Sequence, residues 1–460
     1  MRTTALAVLL LLPAAGFAQA ERYELGRRLK RFEAEWEKQT DPAARKRALA
    51  ILPKASTQFL SLNLTEAART VDDAYWALKA ADPPAAGVRW LDALCVAPEK
   101  RAVRTHTDGF VVAVRPLYTV PGGPPAGATA RLIGPQGIEK PVSLDNLPKA
   151  AGVSWGPMGS GTIGGFDLTI TLETRLGGVE LRNAVGVSRL EKLDTTSPDR
   201  STVAGATTAA VRDLTDRVLD GEVLETDLPL FAWRSGVDRD DRPFYTTTPP
   251  PGGYGYSFPK ITSRWLVVPT EKAATPCRLF VPDGLAKDKP VPLVVALHGA
   301  GGSENMFFES YGAGHIVKEC AKRGWLLVSP RSGFLGTPPV AAIVEKLRDR
   351  YPIDPKRVYL VGHSMGAGQA IDLVQRHPGT FAAVASLGGG GRVRQKERFA
   401  TLPVFVGVGT ADFALKSSRS LVKSLADAGA TKVTAKEYPD LEHLVIVREA
   451  LPDLFQMFDN

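Results

Sequence analysis

The pentapeptide Gly362-His363-Ser364-Met365-Gly366 holds a serine between two glycines. It follows the apolar run 357–361, which predicts a strand, and precedes 367–376, which predicts a helix. A serine at such a junction projects its hydroxyl above the sheet, and the glycines let strand and helix approach each other. We therefore predict that Ser364 is a nucleophile and that the backbone N–H of Met365 helps to bind an oxyanion.

A serine hydroxyl of this kind needs a base, and the chain has 6 histidines. In the strand–turn–helix arrangement the acid and the histidine follow the serine along the chain, which leaves His377 and His443. His377 falls at the end of the helix that starts at Ser364, so a capping role is expected there. His443 follows the last predicted strand and is the predicted base.

The acid that orients this histidine is predicted to be Asp412, which directly follows the strand at 403–408. Three competing acids are less well placed, since one lies late in a helix and two lie on the loop of the histidine itself: Asp427, Asp440 and Glu442.

The glycine-rich loop 298–302 is expected to supply a second oxyanion donor, the backbone N–H of Ala300 or alternatively of Gly299. Aromatic residues after this loop either line an acyl pocket or pack beneath the loop: Phe307, Phe308 and Tyr311.

The elements that must position these residues alternate between strand and helix over 260–460. Short apolar runs, typical of buried parallel strands, are found at 293–297, 325–329, 357–361, 382–387, 403–408 and 432–438. Helices are predicted at about 311–323, 340–351 and after Gly366, and an antiparallel pair at 265–268 and 277–281. This order predicts an α/β domain, a mostly parallel sheet with helices on both faces.

The first half of the chain has a different character. Residues 21–85 predict a helical segment, with Leu25, Leu29, Phe32 and Trp36 on one face. Residues 86–240 predict a small β-rich, sandwich-like module followed by a helix at about 200–220, and Gly177-Gly178 predicts a hairpin turn. The proline- and glycine-rich stretch 241–259 predicts a linker.

The first twenty residues predict a secretory signal peptide. Arg2 is followed by an apolar run, and Ala18-Gln19-Ala20 is a small-x-small cleavage site. The run is too short to span a bilayer, and no later segment is apolar enough to do so. We expect a periplasmic or extracellular protein that begins near Glu21.

The remaining composition gives no indication of a metal or of nucleic acid. The net charge is +8, but the basic residues are interspersed with acids, which is typical of a solvated surface. The 3 cysteines have no zinc-like spacing. A bridge between Cys277 and Cys320 is conceivable, although buried thiols are the favoured interpretation.

The stretches 297–302 and 358–368 resemble the predicted-esterase and polyhydroxybutyrate-depolymerase-like branch of the α/β-hydrolases, which includes feruloyl and acetylxylan esterases. The resemblance covers about 260–460 and implies hydrolysis of a small or polymer-linked carboxylic ester without metal or cofactor. Two alternatives remain open, a prolyl-oligopeptidase-like peptidase and a catalytically silent binding protein. We recognise no family resemblance in residues 21–250. Contact with carbohydrate or a protein partner is one role open to the first half of the chain.

Overall fold

The computed structural model describes residues 15–98, 102–104, 110–134, 137–145, 147, 151–155, 168–190, 263–269, 274–286, 288–333 and 336–459. Most of the predicted signal peptide, residues 1–14, lies outside these ranges. The helix predicted at 200–220 and the linker predicted at 241–259 also lie outside the described residues.

The helical segment predicted at the start of the chain is present as four helices. They are α1 (Ala15–Lys38), α2 (Pro42–Leu49), α3 (Leu52–Leu60) and α4 (Leu64–Lys79). Asp41 caps α2 by accepting the backbone N–H groups of Ala43 and Ala44. The four residues predicted to share one face of α1 are all at most 9% exposed. The helical spacing of these apolar residues therefore identified the buried face correctly.

A short helix, α5 (Ala86–Asp92), leads into two small sheets. The strands are β1 (Leu94–Pro98), β2 (Ala102–Arg104), β3 (Phe110–Pro116), β4 (Thr129–Ile133), β5 (Glu139–Pro141), β6 (Ala151–Trp155), β7 (Leu168–Leu176) and β8 (Val179–Leu190). One sheet has the order β1-β3-β6 and the other β2-β8-β7-β4-β5. The predicted hairpin is confirmed, since β7 and β8 pair antiparallel around Gly177-Gly178. Apolar side chains from both sheets form a common core, as in a sandwich.

The third sheet is large and mostly parallel. Its strands are β9 (Ser263–Pro269), β10 (Ala274–Phe280), β11 (Val291–Leu297), β12 (Leu326–Pro330), β13 (Ile353–His363), β14 (Ala383–Leu387), β15 (Val404–Gly409) and β16 (Val433–Tyr438). Their order is β16-β15-β14-β13-β11-β12-β10-β9. β9 and β10 form the expected antiparallel pair, and β10 also pairs antiparallel with β12. The strands from β11 onward pair with one another in parallel.

The helices that accompany this sheet are α6 (His315–Arg323), α7 (Val340–Arg348), α8 (Met365–Arg376), α9 (Leu415–Asp427) and α10 (Ile446–Asp459). The helix predicted to begin at about Tyr311 starts four residues later. A π-helical turn, Met306–Ser310, and a 3-10 turn, Tyr311–Gly314, precede it. The reason is that Gly312, Ala313 and Gly314 have positive φ angles, a left-handed conformation that cannot continue an α-helix.

The four N-terminal helices share one hydrophobic core with the large sheet. This cluster joins Phe32 and Trp36 of α1 to Phe307 and to Phe455 of α10. The Trp36 Nε1 also donates a hydrogen bond of 2.9 Å to Glu449 of α10. The cluster therefore crosses the boundary that the sequence suggested between the helical segment and the 260–460 region.

A buried ionic cluster fixes α1 against its neighbours on the other side. Arg28 donates to Asp72 of α4 at 3.0 Å and to the carbonyl of Leu94 at 3.0 Å. Arg31 lies 2.6 Å from Asp92, and the Tyr118 hydroxyl donates to Asp72 at 2.7 Å. Because each of these charges has an opposite partner and further hydrogen bonds, the cost of their burial is offset. The cluster sets the orientation of α1.

The three cysteines are unbridged and buried, which confirms the favoured interpretation: Cys95, Cys277 and Cys320. Burial raises the pKa of the Cys95 thiol to about 12. Within the described part of the chain, no helix is both long enough and apolar enough to cross a membrane.

Glu33 is a buried acid at the junction of α1 with the region around α10. Its side chain is 0% exposed, and neither carboxyl oxygen has a partner of normal hydrogen-bond geometry, although the Gly312 N–H is near. Burial, together with the charge of Glu442, raises the pKa of Glu33 well above its ordinary value of 4.5, against the opposing effect of Arg448. The folded protein therefore retains a proton that the unfolded chain releases.

This retained proton makes stability depend on pH in a definite direction. The contribution of Glu33 is complete below pH 4.5 and is lost as the pH rises toward the pKa in the folded protein. Across that interval the free energy of unfolding should fall by up to about 1.4 kcal/mol per pH unit from this group alone. Glu33→Gln should abolish that part of the decrease, as measured by urea unfolding at several pH values.

The exposed carboxylate Glu397, whose side chain is 68% exposed, provides a matched control. Glu397→Gln should leave the pH dependence of wild type unchanged. If the free energy of unfolding changes with pH by the same amount in Glu33→Gln and in wild type, the assignment of a retained proton to Glu33 is contradicted.

Candidate active site

Ser364 lies at a sharp turn between β13 and α8, as the pentapeptide predicted. Its backbone has φ 56° and ψ −116°, a conformation that non-glycine residues rarely adopt. The Ser364 N–H donates to the carbonyl of Leu387 at 2.9 Å, and the Ser364 carbonyl accepts the N–H of Ala367 at 3.1 Å. The turn is thus held from both sides, and the serine side chain remains half exposed.

The two glycines of the pentapeptide are required by close packing. A Cβ on Gly362 would collide with the carbonyl oxygen of Gly366. A Cβ on Gly366 would collide in turn with the carbonyl of Leu297, at the end of β11. The helix therefore packs against the strands at a distance that any larger residue would prevent.

Asp412 and His443, predicted from positions far apart in the sequence, lie in contact. The Nδ1 of His443 is 2.9 Å from Oδ1 of Asp412, which also accepts the N–H of Ala414 at 2.7 Å. Both residues are largely buried. Asp412 follows β15 and His443 follows β16, adjacent parallel strands, so their loops meet at one edge of the sheet.

The loop that carries His443 has its own supports. The Glu442 carboxylate accepts the N–H groups of Leu444 and Val445, both at 2.9 Å. Burial raises the pKa of Glu442. On the neighbouring loop, the Ala411 N–H donates to the carbonyl of Leu441 at 3.0 Å. Of the competing acids, Glu442 therefore shapes the loop and does not contact the imidazole nitrogen that Asp412 holds.

Ser364 and His443 line the same cavity, but the described contacts include no hydrogen bond from the Ser364 hydroxyl to the histidine. In proteins without bound substrate such a bond is often long and tightens when the substrate binds. His443 Nδ1 is engaged by Asp412, so Nε2 is the ring nitrogen left for the serine.

The glycine-rich loop is oriented by His298. The backbone N–H of Ser332 donates to His298 Nε2 at 2.9 Å, so Nδ1 carries the proton and donates to the Gly299 carbonyl at 2.8 Å. In a trans peptide the carbonyl and the following N–H point in opposite directions. The bond from His298 therefore aims the N–H of Ala300 away from His298.

A hydrogen-bonded chain connects this loop to the histidine. The Gly299 N–H donates to the Tyr311 hydroxyl at 3.3 Å, and that hydroxyl lies 2.9 Å from His363 Nδ1. His363 Nε2 is 2.8 Å from the backbone carbonyl of His443 and must carry the proton, so the Tyr311 hydroxyl donates to Nδ1. Burial, followed by the charge of His443, lowers the pKa of His363 well below its ordinary value and keeps the ring neutral.

Of the two predicted donors in the loop, these contacts favour Ala300. Gly299 N–H is engaged by Tyr311. Met365 is the first residue of α8, where backbone N–H groups lack partners within the helix. The two N–H groups best suited to an oxyanion are thus those of Ala300 and Met365.

The cavity above Ser364 has a volume of about 890 Å³, part of it open to solvent. Tyr311 lines it, whereas Phe307 and Phe308 do not, so packing beneath the loop is the alternative that holds for the two phenylalanines. The reason is that Phe307 and Phe308 lie on the π-helical turn and pack into the core shared with α1. Phe413 was not predicted: its side chain is 56% exposed, and its ring centre lies 4.1 Å from that of His443.

The roles of Tyr311 and His363 as hydrogen-bonding partners were also missed by sequence reasoning. They are 52 positions apart, and no spacing signals their contact. The one hint that the sequence offered is the position of His363 inside the pentapeptide, directly before Ser364.

The order of the large sheet, with the serine turn after β13 and the acid and histidine loops after β15 and β16, defines an α/β-hydrolase fold for the C-terminal part of the chain. Residues 276–454 match the family Esterase PHB depolymerase, over less than half of the chain. This confirms the resemblance to that branch of the α/β-hydrolases.

One sequence relative is the protein named "Putative esterase NocK" of Nocardia uniformis subsp. tsuyamanensis, 34% identical over 113 residues. The match takes in 21% of this chain and spans only 33% of the length of that relative. Among solved structures, the feruloyl esterase module from Clostridium thermocellum is 14% identical with a TM-score of 0.38, covering 46% of this chain and 93% of its own. A structure titled as a thermostable esterase is 18% identical with a TM-score of 0.38. The match covers 79% of this chain and 99% of that one.

The hydrogen bonds that link Gly299 through Tyr311 to His363 lead to a testable expectation. Tyr311→Phe removes the hydroxyl that joins the loop to His363. We expect kcat for p-nitrophenyl acetate to fall by roughly tenfold, the effect of losing one or two hydrogen bonds, with KM nearly unchanged.

Tyr359→Phe is the matched control, because the Tyr359 hydroxyl donates to the Phe458 carbonyl at 3.0 Å in the core and away from the cavity. It should lower the stability of the protein while kcat stays at the wild-type value. Equal kcat values for the two variants would show that Tyr311 has no positioning role.

Proposed function

We propose that this protein is a serine carboxylic-ester hydrolase with Ser364 as nucleophile, His443 as general base and acid, and Asp412 as the residue that orients His443. The observation that carries the proposal is the joint placement of Ser364 on a strained turn and of the Asp412–His443 pair at 2.9 Å beside one cavity. The match of 276–454 to an esterase family supports ester chemistry.

The proposed reaction has two halves. In the first, His443 Nε2 takes the Ser364 proton as the oxygen attacks the ester carbonyl, and the resulting oxyanion is bound by the N–H groups of Ala300 and Met365. When this tetrahedral intermediate collapses, the bond between the acyl carbon and the alcohol oxygen breaks. The alcohol leaves with the proton from His443. In the second half, His443 takes a proton from water as the water oxygen attacks the acyl carbonyl. The bond from the acyl carbon to the Ser364 oxygen then breaks, and that oxygen regains its proton from His443 as the carboxylic acid is released.

Asp412 supports both halves without exchanging a proton itself. Its hydrogen bond to Nδ1 keeps the proton of the neutral ring on that nitrogen and stabilises the imidazolium that forms. His363 contributes by holding the backbone carbonyl of His443.

The proposal also includes export to the periplasm or the medium, with cleavage after Ala20. Such cleavage falls within α1 and leaves the residues that pack in the core, such as Leu25 and Phe32, in the mature chain.

Ser364→Ala should reduce kcat for p-nitrophenyl esters by roughly ten-thousandfold or more, because no nucleophile remains. The same variant should lose covalent labelling by a fluorophosphonate probe, while its circular dichroism stays that of wild type.

Ser424, which is half-buried on α9 and donates its hydroxyl to the carbonyl of Ser420 in the same helix, serves as the control. Ser424→Ala should be labelled and should turn over esters as wild type does. Wild-type turnover by Ser364→Ala would eliminate the proposed mechanism.

Expression of the full chain in a bacterium with an export system should yield a secreted product whose intact mass corresponds to a start at Glu21. Replacing the small residues of the cleavage site, Ala18→Leu with Ala20→Tyr, should block processing. Recovery of an unprocessed wild-type protein from the cytoplasm would contradict the export proposal.

A further inference from the structure

The cavity above Ser364 is formed by two separate parts of the chain. One side consists of the oxyanion loop, Ser364 and His443. Much of the rest comes from the N-terminal helices, through Leu25 and Leu29 of α1, Phe59 of α3 and Val71 of α4. These four contributions are all apolar, whereas the sequence alone had left only contact with carbohydrate or a protein partner open for this half of the chain.

The apolar wall is fixed in place. α1 packs against the Met306–Gly314 segment that follows the oxyanion loop. Leu25 and Leu29 are 9% and 7% exposed and belong to the same core cluster as Phe307 and Tyr311. On the side of the histidine loop, the Ser56 hydroxyl of α3 lies 3.4 Å from the Glu442 carboxylate. The wall is therefore held by the core on one side and by the support of the His443 loop on the other.

We propose that the N-terminal helices α1, α3 and α4 are the acyl-binding wall of the active site, and that the substrate is an ester of an aliphatic acid longer than acetic acid. This inference rests on the proposed function, since it takes Ser364 as the nucleophile. Covering an apolar wall with the methylene groups of a substrate removes apolar surface from water and so favours binding. A small polar substrate leaves that surface in water and provides no such stabilisation.

The acyl group is assigned to this wall because of the two-step reaction. The alcohol leaves before water enters, whereas the acyl group stays on Ser364 through both halves. A wall that the hydrophobic core holds in place can bind the acyl group in one position throughout both halves of the reaction. Phe413, largely exposed and next to the His443 ring, borders the position where the alcohol accepts its proton.

The first test measures kcat/KM for p-nitrophenyl acetate, butyrate and octanoate with the full-length mature protein. Each methylene that the wall buries should raise kcat/KM by about fourfold. Octanoate has about six more methylenes than acetate, and burial of roughly three or four of them against the wall should raise its kcat/KM above that of acetate by on the order of a hundredfold. A preference for acetate would overturn the proposal.

The second test compares two leucines of one core cluster. Leu29, 7% exposed, lines the cavity, whereas Leu49 of α2, 9% exposed, does not. Leu29→Ala should lower the ratio of kcat/KM for octanoate to kcat/KM for acetate by roughly tenfold. Leu49→Ala should keep the wild-type ratio of octanoate to acetate. Equal ratios in both variants would refute the wall.

A variant that fills the cavity covers the case in which Leu29→Ala does not fold. Ala55 of α3 lines the cavity, and Thr57 of the same helix is exposed. Ala55→Leu should shorten the longest accepted acyl chain and lower the ratio of kcat/KM for octanoate to kcat/KM for acetate by roughly tenfold. Thr57→Leu adds a side chain of the same kind outside the cavity and should leave the profile unchanged.

Labelling by a fluorophosphonate probe distinguishes an error in the wall assignment from an error in the proposed function. If Ser364 is labelled and acetate is hydrolysed but the acyl profile is the same in every variant, the wall assignment is wrong and the proposed function stands. If wild type is neither labelled nor active on any of the three esters, the proposed function itself is wrong.

Discussion

The strained backbone of Ser364 is the constraint on which the rest of the site depends. A non-glycine residue at φ 56° and ψ −116° costs on the order of 1–3 kcal/mol and persists only when its surroundings hold it. Here the carbonyl of Leu387 accepts its N–H, and Gly362 and Gly366 allow the helix to pack closely against the strands. The same close packing brings the glycine-rich loop after β11 next to Ser364.

The polar contacts around the site form one connected system. His298 fixes the peptide that presents the N–H of Ala300, and Tyr311 links the same loop to His363. His363 then holds the backbone of His443. Since burial keeps His363 neutral, one ring nitrogen can donate while the other accepts. The positions of the glycine-rich loop and of His443 are therefore coupled through His363, the residue next to Ser364.

The N-terminal helices are part of the same physical unit as the large sheet. Their apolar faces complete the core beside α10, and the ionic cluster around Arg28 and Asp72 orients α1. The unpaired carboxyl of Glu33 lies at this junction. Helices from the other end of the sequence cover much of the region above Ser364.

The sequence by itself determined the local features, because strands, helices and tight turns depend on the spacing of nearby residues. It predicted the parallel sheet, the hairpin at Gly177-Gly178, the buried face of α1 and the turn at Ser364. The order of strand ends also singled out Asp412 and His443, since parallel neighbours end at one edge.

Only the tertiary structure decided which distant surfaces meet. The contact of Tyr311 with His363, the burial of Phe307 and Phe308 in the core, and the wall from α1, α3 and α4 arise from packing between segments far apart in the chain. Periodicity identifies which face of a helix is buried but not what covers it, because many partners satisfy the same apolar stripe.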